Sequence, residues 1–163
     1  MSGVAHIRPL APADVPAVKQ LVEEVLGEFG FAAQVGGVER DLVETRDRHA
    51  GRASGFWVAE VEGVVVGTVA IRPKDAAACE LKRLHVRPAE RGTGLGQRLY
   101  EHAEAFARAA GYERIWLDSS RRFARAHRLY QRNGFVLLES LDNDWEDDVY
   151  EKTLCGVSTF CSR

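Results

Sequence analysis

Arg91-Gly92-Thr93-Gly94-Leu95-Gly96 is the stretch of this chain whose residue types point most directly to chemistry, and the chemistry is the holding of a phosphate. Three glycines in five residues let a backbone approach an anion with no side chain in the way. The run lies between a strand-like segment, Leu81–Val86, and a long amphipathic helix that begins near Leu95. Unpaired N–H groups at that helix start, the helix dipole and the Arg91 guanidinium would all attract negative charge. Spacing narrows the choice of phosphate. A dinucleotide fingerprint needs a third glycine where Gln97-Arg98-Leu99 follows, and a P-loop needs Gly-Lys-Ser/Thr. What remains is Arg-x-x-Gly-x-Gly, with a plain turn into a helix as the alternative.

Charge is distributed in the same sense. Five basic residues (Lys82, Arg83, Arg87, Arg91, Arg98) lie between positions 82 and 98 against Glu90 alone. From Glu139 to Glu151 there are seven acidic residues and no basic one. One stretch suits phosphates and the other cations, and Trp145 within the acidic stretch would add cation–π contact for a cationic acceptor. The whole chain carries a net charge of −2, which argues against a nucleic-acid binder.

The elements that must position this loop are legible as apolar periodicity. Val4–Arg8 reads as a short strand, and Pro12 with Asp14 marks a helix start. Val18, Leu21, Val22, Val25 and Leu26 form the stripe of a core-facing helix that ends at Phe29-Gly30. A more polar helix is expected over Val38–His49, then an antiparallel hairpin of Phe56–Val61 and Val64–Ile71 turning at Glu62-Gly63. In the strand Cys79–Val86, Leu81 and Leu84 are three apart, so either both sheet faces are covered or a bulge breaks the alternation. Leu95, Leu99, Ala103, Phe106 and Ala110 make the stripe of the next helix, with Gly111 as its stop. Arg114–Asp118, a helix over Phe123–Asn133, and the strands Phe135–Leu141 and Val149–Cys155 complete the order. The expectation is an α/β chain: one domain over residues 1–163, with a central, mostly antiparallel mixed sheet and helices on both faces. Cys79, Cys155 and Cys161 show no pairing or metal-ligand spacing, and no apolar run reaches membrane length. A cytoplasmic protein with neither metal nor membrane partner is expected.

That order, the opening Ile7-Arg8-Pro9, the Glu80–Val86 strand, the Arg91–Gly96 loop and Ala126-x-x-Leu129-Tyr130-x-x-x-Gly134-Phe135 together resemble the GNAT superfamily of N-acetyltransferases. The resemblance spans nearly the whole chain. It implies acetyl-CoA as cosubstrate, its pantetheine arm along Leu84, His85 and Val86, and its pyrophosphate on the loop from Arg91 through Gly92, Thr93, Gly94, Leu95 and Gly96 to Gln97. It implies Tyr130 as the acid that protonates the departing sulfur, with Glu80 or Asp118 as the base that deprotonates an amine acceptor, small molecule or peptide. Lone histidines such as His85 and His127 read as packing or as proton relays. Phe123 stands where many members carry an asparagine. A homodimer is left open, as is a non-catalytic acyl-CoA sensor, which would keep the loop without needing Tyr130 or a base.

Overall fold

The structure is a computed structural model that describes residues 3–31, 37, 40–41, 48–49 and 51–154. Strands β1 (His6–Pro9), β4 (Gly55–Val61), β5 (Val64–Pro73), β6 (Ala78–Val86), β7 (Arg114–Ser120), β9 (Asp147–Thr153) and β8 (Val136–Ser140) lie side by side in that order as one sheet. Every neighbouring pair is antiparallel except β6 and β7, which run parallel. The expected mixed, mostly antiparallel sheet is therefore present. The β4–β5 hairpin turns at Glu62 (φ 50°) and Gly63 (φ 80°), left-handed values at both central positions, as a twisted two-residue turn requires.

Helices cover both faces. α1 (Val15–Glu28) buries Val18, Leu21, Val22, Val25 and Leu26, the stripe read from the sequence, against Phe56, Val58, Val65 and Ala70. On the opposite face α2 (Leu95–Ala109) buries Leu95, Leu99, Tyr100, Ala103 and Ala107 with Ile71, Leu81, Ile115 and Leu117. Ala110 is exposed and Ala107 takes its expected place, since a straight helix keeps the i, i+4 row against the sheet. α3 (Ala124–Arg132) adds Leu129 and Tyr130 to this second cluster.

Most of the helix expected over Val38–His49 lies outside the described residues. Arg40 and Asp41 are helical, but Arg48–His49 is not: it forms β2, which pairs with β3 (Arg52–Ala53) across Gly51 at φ 78°. A glycine in that conformation turns the chain back on itself, so the polar run cannot continue as a helix. Cys155 and Cys161 also lie outside the described residues. Cys79 is fully buried, and burial pushes its thiol up to about 12, so it stays protonated and inert.

Candidate active site

The site starts from an irregularity in β6. Thr68 on β5 faces His85, but Ala70 faces Lys82, so β6 carries one residue more than its partner. Arg83 absorbs it with φ 55°, which brings Leu81 and Leu84 to the same face. A left-handed arginine is strained by roughly 1–2 kcal/mol. The Thr68 hydroxyl donates to the Arg83 carbonyl at 2.7 Å, and the fully buried Asp41 accepts from Arg83 Nε at 2.5 Å and Lys82 Nζ at 3.3 Å. On its other side β6 pairs with β7 only at Ala78, Cys79 and Glu80. Beyond Glu80 the two parallel strands separate, leaving an edge of β6 without ladder bonds inside the sheet.

A cavity of about 640 Å³ occupies this split. Val25 of α1 and Phe29 just past its end line it from one face, the first turn of α2 and the length of α3 from the other, and β6 and β7 flank it. Of the ten expected cofactor residues, all but Thr93 line it; the Thr93 hydroxyl instead bonds the Glu90 carbonyl at 2.6 Å. Gly92 and Gly94 stand at φ 80° and 85°, and a Cβ on either would meet no atom within 4 Å. These glycines are demanded by backbone conformation and leave the space before them open. Gly94 caps α2 without a side-chain hydrogen bond, so the helix's first amides remain available to an anion. Thus the loop residues fit a pyrophosphate, and the free edge of β6 fits an extended arm that pairs with it like an added strand.

Arg91 departs from expectation. Its guanidinium grips Glu28 of α1 at 2.7 and 3.0 Å, and its Nε donates to the Val86 carbonyl at 3.3 Å. It shapes the loop rather than reaching forward for an anion. Arg87 does the same with Glu24 at 2.6 Å, and Arg98 with the Ala5 carbonyl at 2.9 Å. The basic cluster that looked built for phosphate is spent on internal contacts.

Tyr130 and Asp118 both line the cavity. Tyr130 is 5% exposed, and burial first, then the Asp118 charge, hold its phenol above the usual value. Asp118 lines the wall of the split, where burial and the nearby Asp147 raise its carboxyl while Lys82 and Lys74 pull it back. Glu80 is not on the cavity wall: it is buried and accepts from Arg72 Nε at 2.8 Å, near the closed end of the β6–β7 pairing. His85 lines the cavity, and burial with Arg83 and Arg91 pushes it down to about 4, so its ring is neutral. His127 donates from Nε2 to the Ser119 carbonyl at 3.2 Å, and its Nδ1 lies 3.1 Å from the Tyr150 hydroxyl. It fastens α3 to β7 behind Tyr130.

Two groups of residues at the cavity have packing or placement that the sequence reading did not assign. Phe29 and Phe123 meet edge to face at 4.8 Å, and Phe31 stacks on Trp145 at 4.4 Å, so Phe123 forms an apolar wall where an asparagine was looked for. Arg125, Arg128 and Arg132 line the cavity along α3; their i, i+3, i+7 spacing on one helix face was the available signal. Among the described residues no three His, Cys, Asp or Glu are grouped to hold a metal, and no helix is long and apolar enough to cross a membrane.

A seven-stranded sheet split at its one parallel pair, with a glycine loop and a tyrosine facing the split, defines an acetyltransferase of the GNAT type. The model of the acetyltransferase (GNAT) family matches residues 18–135, and the chain belongs to that family. It is 33% identical over 134 residues to the uncharacterized N-acetyltransferase YjgM of Escherichia coli K12, covering 79% of this chain and 80% of that protein. An uncharacterized N-acetyltransferase, C1271.07c of Schizosaccharomyces pombe, is 34% identical over 130 residues, covering 78% and 80%. Among solved structures, a GNAT-family acetyltransferase from Staphylococcus aureus Mu50 superposes with a TM-score of 0.83 at 17% identity over 93% of this chain and all of that one. The PaiA N-acetyltransferase of Thermoplasma acidophilum, solved with coenzyme A, gives 0.75 at 19% identity, again over 93% of this chain and all of that one. The chain is an acetyltransferase enzyme.

Proposed function

We propose that this acetyltransferase transfers an acetyl group from acetyl-CoA to a primary amine, the amine attacking directly while both substrates are bound. The observation that carries the reading is that Asp118 and Tyr130 line one cavity that also reaches the glycine loop and the free edge of β6. Acetyl-CoA, when bound, supplies an acyl group activated as a thioester. The Gly92–Gln97 backbone holds the pyrophosphate, and the main chain of Leu84, His85 and Val86 pairs with the pantetheine arm and polarises the acyl carbonyl. An amine of pKa ~10.4 arrives protonated at neutral pH, and Asp118 is the carboxylate placed to take that proton, directly or through water. Glu80, bound to Arg72 off the cavity wall, is left a structural role. Tyr130 holds its proton on the phenol oxygen at every working pH. Against a thiol of pKa ~8.5, full transfer from even an unperturbed phenol is uphill by ~2 kcal/mol, so Tyr130 stabilises the departing sulfur by a hydrogen bond that strengthens as charge develops. The free, buried Cys79 fits a cytoplasmic setting.

The test is free-thiol release from acetyl-CoA with a panel of amines, amino acids, polyamines and lysine peptides. Release that requires an amine is expected. Coenzyme A binding with no release for any acceptor would return the chain to an acyl-CoA sensor.

A further inference from the structure

Six cationic side chains border the cavity: Lys82, Arg83, Arg91, Arg125, Arg128 and Arg132. The first two bind Asp41 and the third binds Glu28. The last three make no ion pair or side-chain hydrogen bond among the described residues, and all three are exposed. Arg121 and Arg122, just before the helix, are by contrast matched to Asp148 and Glu146. Like charges three and four residues apart destabilise a helix, and a cation in the first turn opposes its dipole. No acidic residue relieves this in the first turn of α3. Arg125 and its repulsion with Arg128 therefore work against the helix that carries them, and the row faces the cavity rather than solvent alone.

We propose that Arg125, Arg128 and Arg132 form an anion-binding wall that takes the 3′-phosphate of coenzyme A. The proposal rests on the acetyl-CoA reading above. Asn133, next to Arg132, exchanges hydrogen bonds of 2.9 and 2.7 Å with Gln97 in the first turn of α2. Leu129 Cδ1 lies 3.5 Å from the position of a Cβ on Gly96. The C-terminal half of α3, with Arg128 and Arg132, is thus docked beside the glycine loop, and the ribose phosphate is the anionic group of coenzyme A that lies beyond the pyrophosphate. Guanidinium groups suit it, because their forked donors match phosphate oxygens and their charge persists at any working pH. A carboxylate on the acceptor would satisfy the same chemistry, and the experiment separates the two.

Calorimetry on the full chain would compare coenzyme A with 3′-dephospho-coenzyme A, for wild type and for Arg125→Gln, Arg128→Gln, Arg132→Gln and their triple combination. Wild type is expected to favour coenzyme A by ~10-fold or more, the scale of one or two charge-assisted hydrogen bonds. The triple variant should bind both nucleotides equally, with its dephospho-coenzyme A affinity at the wild-type value, which also certifies the fold. Equal binding of both by wild type overturns the proposal alone. A raised acceptor KM in the variants with the nucleotide preference intact also overturns it, in favour of an acceptor carboxylate. Failure of wild type to bind either nucleotide overturns the acetyl-CoA reading itself.

Discussion

At the scale of single residues, the proposed chemistry divides between a phenol that burial holds protonated and a carboxyl raised above its ordinary value. Tyr130→Phe removes one hydroxyl from a ring packed against Phe135 and Tyr150, so the fold should survive. Steady-state kinetics should show kcat lowered by ~10²-fold or more at little cost in coenzyme A affinity. Asp118 makes a paired prediction. Its folded carboxyl is raised, so kcat/KM should fall as pH drops through a value above that of an ordinary aspartate, and Asp118→Asn should abolish that limb along with most of the rate. Glu80→Gln should leave the limb in place. A group with a raised folded pKa contributes stability that is fully present below its unfolded value and lost as pH rises through the folded one. Asp118→Asn should therefore melt higher than wild type at neutral pH, with the advantage vanishing in acid; differential scanning calorimetry at several pH values reads both ends.

Among the elements, the glycine loop is the sharpest test. Gly94→Asp forces a side chain into a left-handed position and sets a negative charge before the α2 amides. Calorimetry should find coenzyme A binding lost in a folded variant. The loop, Tyr130 and the oddity between Leu81 and Leu84 were all legible in the sequence, because each leaves a local mark: glycine spacing, a helical stripe, a broken alternation. What the cations do was not legible. Lys82, Arg83, Arg87 and Arg91 form a dense local run, yet their partners Asp41, Glu24 and Glu28 come from the distant α1 side of the chain, a pairing that only the fold creates. Glu80 and Asp118 were likewise indistinguishable until the β6–β7 register showed Glu80 at the last paired position and Asp118 beyond it.

For the whole molecule, two apolar layers sandwich one sheet, and the cavity is the place where the sheet itself opens. Leu21 and Ile115 are both fully buried, in separate clusters on opposite faces. Leu21→Ala should cost ~2–5 kcal/mol and Ile115→Val ~0.5–1.5 kcal/mol in denaturant unfolding. The double variant should lose their sum within ~0.5 kcal/mol, since the sheet lies between them. The additional residue in β6 also determines which changes of length the chain can bear. Side chains alternate along a strand, so deleting any regularly paired residue of β6 would turn those on one side of it to the other face, whereas deleting Arg83 would leave Thr68 facing His85 and remove only the bulge, and with it the left-handed kink at the mouth of the split. A deletion in the exposed Asp142–Asp144 connection would be absorbed there. Lengths on the two sides of the sheet are thus unequally negotiable: the acidic connection can drift by insertion and deletion, while β6 is held to its count.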